Sequence, residues 1–146
     1  MSILSIATSG LSAASLRLNV AASNIANAFT SGPLPAQDGS NASGGGAGSS
    51  NTNSNFPPAY VPLQVNQTDQ ASGGTVATVS TVSPGSVAQY DPNAPFANQD
   101  GLIASPNVDL ASQFVQLLTA KYSFAANAKV IQAYANTTQS LLDITA

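Results

Sequence analysis

Residues 2–28 read SILSIATSGLSAASLRLNVAASNIANA, and this stretch decides the architecture. Leu4, Leu11, Leu18 and Ile25 recur every seven residues; Ala7, Ala14, Ala21 and Ala28 recur in step, three residues later. A large-then-small heptad held over four repeats predicts a helix with a coiled-coil-like seam and close approach to a partner helix. Ser2 stands at the N-cap position, where its hydroxyl oxygen can accept a hydrogen bond from a free backbone N–H of the first turn. At about 1.5 Å per residue the helix would run roughly 40 Å. Gly10 costs about 1 kcal/mol against alanine inside a helix, so something outside the helix must stabilise it there. The other faces carry Ser, Asn and Ala in place of charge, and such a helix is marginal in water without packing.

The C-terminal end repeats the theme. From Asn107 onward there is neither Pro nor Gly. Asn107 can cap a helix that begins at Val108, with Asp109 near its positive end. Leu110, Leu117, Phe124 and Ile131 recur every seven residues, flanked by Phe114, Ala128, Ala135 and Leu142, with Lys121 interrupting the flanking row. Leu118, Tyr122, Ala125, Val130 and Tyr134 widen the apolar surface beyond what one partner helix can cover. A helix of this extent is roughly 50 Å long, which suits a tall bundle.

Between these ends, Asp38–Asn55 reads DGSNASGGGAGSSNTNSN, a low-complexity stretch expected to form a flexible loop. Tyr60–Val65 and Thr75–Val82 are short β candidates, and Pro84-Gly85, Asp91-Pro92 and Pro95 mark turns. The chain therefore divides into an N-terminal helix (1–30), a flexible loop (31–58), a small irregular β-containing segment (59–106) and a C-terminal helix (107–146). The expected fold is mainly α, with residues 1–30 and 107–146 forming one coiled-coil-like bundle. The terminal helices are expected to be largely disordered in the free monomer.

Composition excludes much of protein chemistry. The chain of 146 residues is 6% charged, against about 25% in ordinary soluble domains. Its only bases are Arg17, Lys121 and Lys129, and all six acids are Asp. Without Cys or His there is no zinc finger, thiol redox centre or His-activated nucleophile. Three bases cannot neutralise the phosphates on which nucleic-acid affinity depends. Asp38, Asp69, Asp91, Asp100, Asp109 and Asp143 lie in Gly-, Pro- or Asn-rich loops or near helix ends, and read as solvated or capping groups. Gly44-Gly45-Gly46 lacks the strand, the helix and the following Lys of a phosphate loop. No catalytic, cofactor or metal residues are expected. Met1–Leu16 is broken by Ser2, Ser5, Thr8, Ser9, Ser12 and Ser15, too polar to span a membrane. No base precedes Arg17, as a cleaved secretory signal would want.

Two sets of motifs carry a family resemblance. Ser9-Gly10-Leu11-Ser12-Ala13-Ala14, Leu18-Asn19-Val20 and Ala22-Ser23-Asn24-Ile25-Ala26-Asn27 resemble the N-terminal signature of bacterial flagellar rod and hook proteins. Asn107-Val108-Asp109-Leu110-Ala111, Asn127-Ala128-Lys129-Val130-Ile131 and Leu141-Leu142-Asp143-Ile144 resemble the C-terminal signature. Tyr90-Asp91-Pro92-Asn93-Ala94-Pro95, then Gly101 and Pro106-Asn107-Val108-Asp109, with the short length, are similar to the proximal-rod protein C family. The chain departs from that pattern at Ala28-Phe29-Thr30, at Ser31-Gly32-Pro33-Leu34-Pro35 and at Lys121-Tyr122-Ser123-Phe124.

The resemblance implies a structural role in the basal body of the flagellum. Such a subunit is exported unfolded or partly folded through the flagellar type III export apparatus without signal cleavage. It then assembles helically, with copies of itself and other rod proteins, into a hollow periplasmic drive shaft. Leu4, Leu11, Leu18, Ile25, Leu110, Phe114, Leu117, Phe124, Ile131 and Leu142 are the expected assembly residues. Distal-rod or hook proteins are alternatives, although they carry a larger middle. A peripheral membrane protein with an amphipathic helix is another, although it would want a Lys/Arg-rich polar face.

Overall fold

The computed structural model describes residues 2–35 and 56–145. The expected loop at 38–55 lies outside the described residues. Six elements follow one another: α1 (Ile3–Ala26), β1 (Leu63–Asp69), β2 (Thr75–Thr81), β3 (Ser86–Tyr90), β4 (Leu102–Pro106) and α2 (Leu110–Thr145). Two long helices at the chain ends thus enclose a small antiparallel β middle.

Ser2 caps α1 as its position predicts: it is extended, and Leu4 N–H donates to its Oγ at 3.3 Å. The helix stops two residues before Ala28, where Asn27 leaves helical geometry at φ −105° and ψ 10° and its Nδ2 joins its backbone N–H in donating to Ser23 O. The start of α2 corrects the expectation by two residues. Asn107 is not the cap; its N–H donates to Gly85 O and its Nδ2 to Pro84 O, both at 3.1 Å, which ties it to the entrance of β3. Asp109 caps instead, accepting Ala111 N–H on Oδ1 at 3.0 Å. A carboxylate there also favours the positive end of the helix dipole.

The helices pack antiparallel: Gly10 faces Asn127 while Asn24 bonds Gln113. With 36 residues against 24, α2 is about 18 Å longer than α1. The buried residues of α1 are Ala7, Ala13, Ala14, Val20, Ala21 and Asn24, with Ala28 just beyond; on α2, Ala120 alone is fully buried among the described residues.

The β1–β2 hairpin is in register from Leu63↔Thr81 to Asp69↔Thr75 and turns through Gly73 and Gly74, both at positive φ. It lies along α1, with Leu63 held by Asn24 at one end and Thr75 N–H donating to Ser9 Oγ at the other. The helical span from Ser9 to Asn24 is about 22 Å, and a seven-residue strand covers about 23 Å, so both ends reach their anchors. Strand formation begins at Leu63 and not at Tyr60, whose N–H is taken by Thr30 O.

Two further strands were not anticipated. β3 and β4 pair antiparallel from Ser86↔Pro106 to Tyr90↔Leu102, and Gly32 bridges to the free edge of β4 through two bonds with Ala104 at 2.9 and 3.0 Å. Ile103, Ala104 and Pro106 are buried there. Both strands are five residues long and fenced by Pro and Gly, so turn signals hide them. Between them, Asn98 Oδ1 accepts the N–H groups of Asp100 and Leu102, and Gly101 takes φ +73 with Tyr90 and Pro92 directly against it.

Candidate functional site: the helix pair and its exposed rows

The centre of the helix pair is a polar clamp. The Asn24 side chain is fully buried, yet all of its hydrogen-bonding positions are filled. Its Nδ2 donates to Leu63 O at 2.7 Å and to Gln113 Oε1 at 3.0 Å. Its Oδ1 accepts from Leu63 N–H and from Tyr60 O–H, both at 3.0 Å. Because Tyr60 gives its one proton to Asn24, the 3.1 Å contact with Ser23 has Ser23 Oγ as donor. One amide thus joins α1, α2, β1 and the segment before β1. A buried polar group left without a partner costs about 1–3 kcal/mol, so removing any member exposes the others to that penalty.

Fourteen residues N-terminal to Asn24, Gly10 marks a tight approach to α2. A Cβ built there would stand 2.8 Å from Asn127 Nδ2, itself donating to Ser123 O. This contact answers what stabilises a glycine in mid-helix: it makes room for a neighbour. Sequence reasoning missed Asn24, Gln113 and Asn127 as positioning residues. The signal was a third seven-residue row, Gly10–Arg17–Asn24, facing Gln113–Ala120–Asn127.

The ten expected assembly residues are distributed unevenly. Leu11, Leu18, Ile25, Leu110, Leu117 and Ile131 are half-buried along the edges of the seam, while Leu4, Phe114, Phe124 and Leu142 are exposed. None is fully buried. Small residues fill the seam, and Gln113, Ala120 and Asn127 occupy the flank that Phe114 was expected to share. The structure does bring Leu4, Ile131 and Leu142 together, in a groove of about 390 Å³ also lined by Tyr134, Ala135, Thr138 and Gln139.

Large apolar side chains cover the outside. Ile3 and Ile6 are exposed on α1; Phe114, Val115, Leu118 and Tyr122 are exposed on α2; Leu141, Leu142 and Ile144 stand 60–80% exposed on the part of α2 that outreaches α1. Exposed large apolar side chains in such number suit contacts with other chains. Elsewhere the described carboxylates do structural or solvated work: Asp91 accepts Asn93 N–H, Asp109 caps α2 and Asp143 accepts from Gln139. Among the described residues no group of three or more His, Cys, Asp or Glu could hold a metal ion.

Sequence comparison agrees with this geometry. The model of the family described as "Flagella basal body rod protein" matches residues 4–33, and that described as "Flagellar basal body rod FlgEFG protein C-terminal" matches residues 99–144. The two matches fall on α1 and on β4 with α2. The flagellar basal-body rod protein FlgC of Salmonella typhimurium is 34% identical over 145 residues, covering 97% of this chain and 92% of its own. That of Escherichia coli O157:H7 is 33% identical over 146 residues with the same coverage. That of Agrobacterium fabrum is 30% identical over 145 residues, covering 95% of this chain and 90% of its own. The chain belongs to the FlgC family of flagellar basal-body rod proteins. It is a structural subunit of the rod and not an enzyme, and as a family member it assembles with itself and with other rod components. The FlgC relatives span the whole architecture, β middle included, which the two terminal family matches do not.

Proposed function

We propose that this rod subunit assembles helically through its terminal helices and helps to build the hollow drive shaft that crosses the periplasm. One observation carries the reading: the helix pair buries the heptad alanines of α1 and Ala120 of α2, holds its seam leucines and isoleucines only half-buried, and leaves Leu4, Phe114, Leu118, Tyr122 and Leu142 exposed, so its apolar surface is completed only by neighbours. Head-to-tail contacts that do not close generate an open helical assembly, and ridges of large side chains on two sides of a helix pair supply such contacts. Residues 1–30 and 107–146 act as one inner α-domain around the channel, and residues 59–106 face outward or touch neighbouring subunits. The ten residues from Leu4 to Leu142 named above are the assembly surface.

The subunit reaches the rod through the flagellar type III export apparatus, without a cleaved signal peptide, and binds neither nucleic acid nor lipid bilayer stably. In support, it carries three bases in all, and no described helix is long and apolar enough to cross a membrane. The test is incorporation. Leu11→Asp and Leu117→Asp should each be absent from purified hook–basal bodies by mass spectrometry, while the unaltered chain is enriched there with the other rod proteins. Normal rods containing either variant would overturn the reading.

A further inference from the structure

Heptad packing alone does not fix how far α1 and α2 slide along each other. In the observed register Gly10 meets Asn127 and Asn24 meets Gln113; a slide of seven residues, about 10 Å, would set the whole of α1 against residues 118–141 of α2. Every leucine and alanine of α1 would then meet a position of the same heptad class, such as Leu18 opposite Ala126 in place of Thr119. No part of α1 would lose its partner helix, because α2 is the longer by a dozen residues.

What the slide would not preserve is the polar row. Asn24, fully buried, would lie opposite Ala120, losing Gln113. Gly10 would face Tyr134, and Asn127 would face Arg17. Asn24 would keep Leu63 and Tyr60 but lose its one partner on α2, and Gln113 would lose Asn24. A buried amide that is fully satisfied in one alignment and only partly in the next is a register device, the best-attested use of polar groups in helix seams. We propose that Asn24, acting through Gln113 and Leu63, is the positioning residue that selects the register of the α1/α2 pair. It thereby sets how much of α2, and which of its apolar residues, project past α1 towards the next subunit. The inference concerns the fold itself and stands whichever face the rod uses.

The chain contains no cysteine, so paired cysteines report register cleanly. Full-length protein carrying Ala7→Cys with Val130→Cys reports the observed register, in which these residues line one groove. Ala14→Cys with Val130→Cys reports the seven-residue slide. Each pair is oxidised with and without Asn24→Leu, and again with Asn24→Leu plus Gln113→Leu, which removes both amides. Trypsin then cuts after Arg17, Lys121 and Lys129, and mass spectrometry reads the linkage between residues 1–17 and 130–146. The expected result is that only the first pair links in the parent, and that the second rises from background to a comparable yield once Asn24 is replaced. If the second pair stays at background in both variants, the proposal fails. With the first pair intact, register is held by the Gly32–Ala104 bridge; with the first pair weakened, Asn24 contributes stability and not register.

Discussion

The two terminal helices carry the same seven-residue signature and meet opposite fates. Along α1, Ala7, Ala13, Ala14 and Ala21 are packed out of solvent, and the helix is flanked by α2 and by the β1–β2 hairpin. Along α2 only Ala120 is sealed among the described residues, and Phe114, Leu118, Tyr122 and Leu142 remain in water. The difference teaches that a heptad row says which residues share a stripe, not which stripe is buried within one chain. Small residues let two helix backbones approach closely, so the pair sinks its alanines first. The large residues are displaced to the flanks, where they suit a second layer of contacts.

That contrast can be broken by experiment. The largest loss of stability is expected from Ala21→Leu, where no space exists on the sealed side of α1. Overpacking should cost about 1–3 kcal/mol in thermal unfolding of the full-length chain followed by circular dichroism, whereas Ala125→Leu on the open side of α2 should stay within about 0.5 kcal/mol. Equal effects would mean that both helices are equally open. Next comes the glycine notch. Gly10→Ala should destabilise the chain although alanine is the better helix former, and combining it with Asn127→Ala should reverse the sign. The coupling in this double-mutant cycle should fall at the lower end of about 0.5–3 kcal/mol.

A smaller change is expected from Ser9→Ala, which removes the acceptor for Thr75 N–H and so frees the tip of the hairpin from α1. The cost should be about 0.5–1.5 kcal/mol, with hydrogen exchange accelerating at Thr75 and not at Leu63. Least of all should be Leu142→Asp and Phe114→Ser. Both side chains are more than half exposed, so unfolding should shift by no more than about 0.5 kcal/mol, while incorporation into basal bodies is lost. A variant that unfolds readily yet still enters rods would invert the assignment of inner and outer rows.

Much of this was legible in the sequence because periodicity is local. Both helices, the Ser2 cap, the turns at Pro84-Gly85 and Asp91-Pro92 and most of β2 follow from patterns within a few residues. Legibility ends where partners lie far apart in the chain. Asp109 outcompetes Asn107 as cap only because Asn107 is engaged by Pro84 and Gly85. β4 pairs with β3 across an eleven-residue turn segment, and Gly32, more than seventy positions earlier, bridges its other edge. Asn24 looks like one polar residue among many until Tyr60, Leu63 and Gln113 converge on it. The ten residues proposed for assembly show the same limit: their stripe could be read from spacing, but their exposure depends on which neighbours are present.

The hydroxyl groups of the helices carry one more consequence. Thr8 donates to Leu4 O, Ser9 to Ile6 O, Thr119 to Val115 O, Thr137 to Ala133 O and Thr138 to Tyr134 O. Each hydroxyl donates its proton to its own helix and, in the threonines, leaves a methyl group available to neighbours. A surface that is hydrophilic by composition therefore asks little of whatever lies against it. A neighbour laid against these turns would meet hydroxyls whose protons are already engaged, and so would face no desolvation penalty from those five donors.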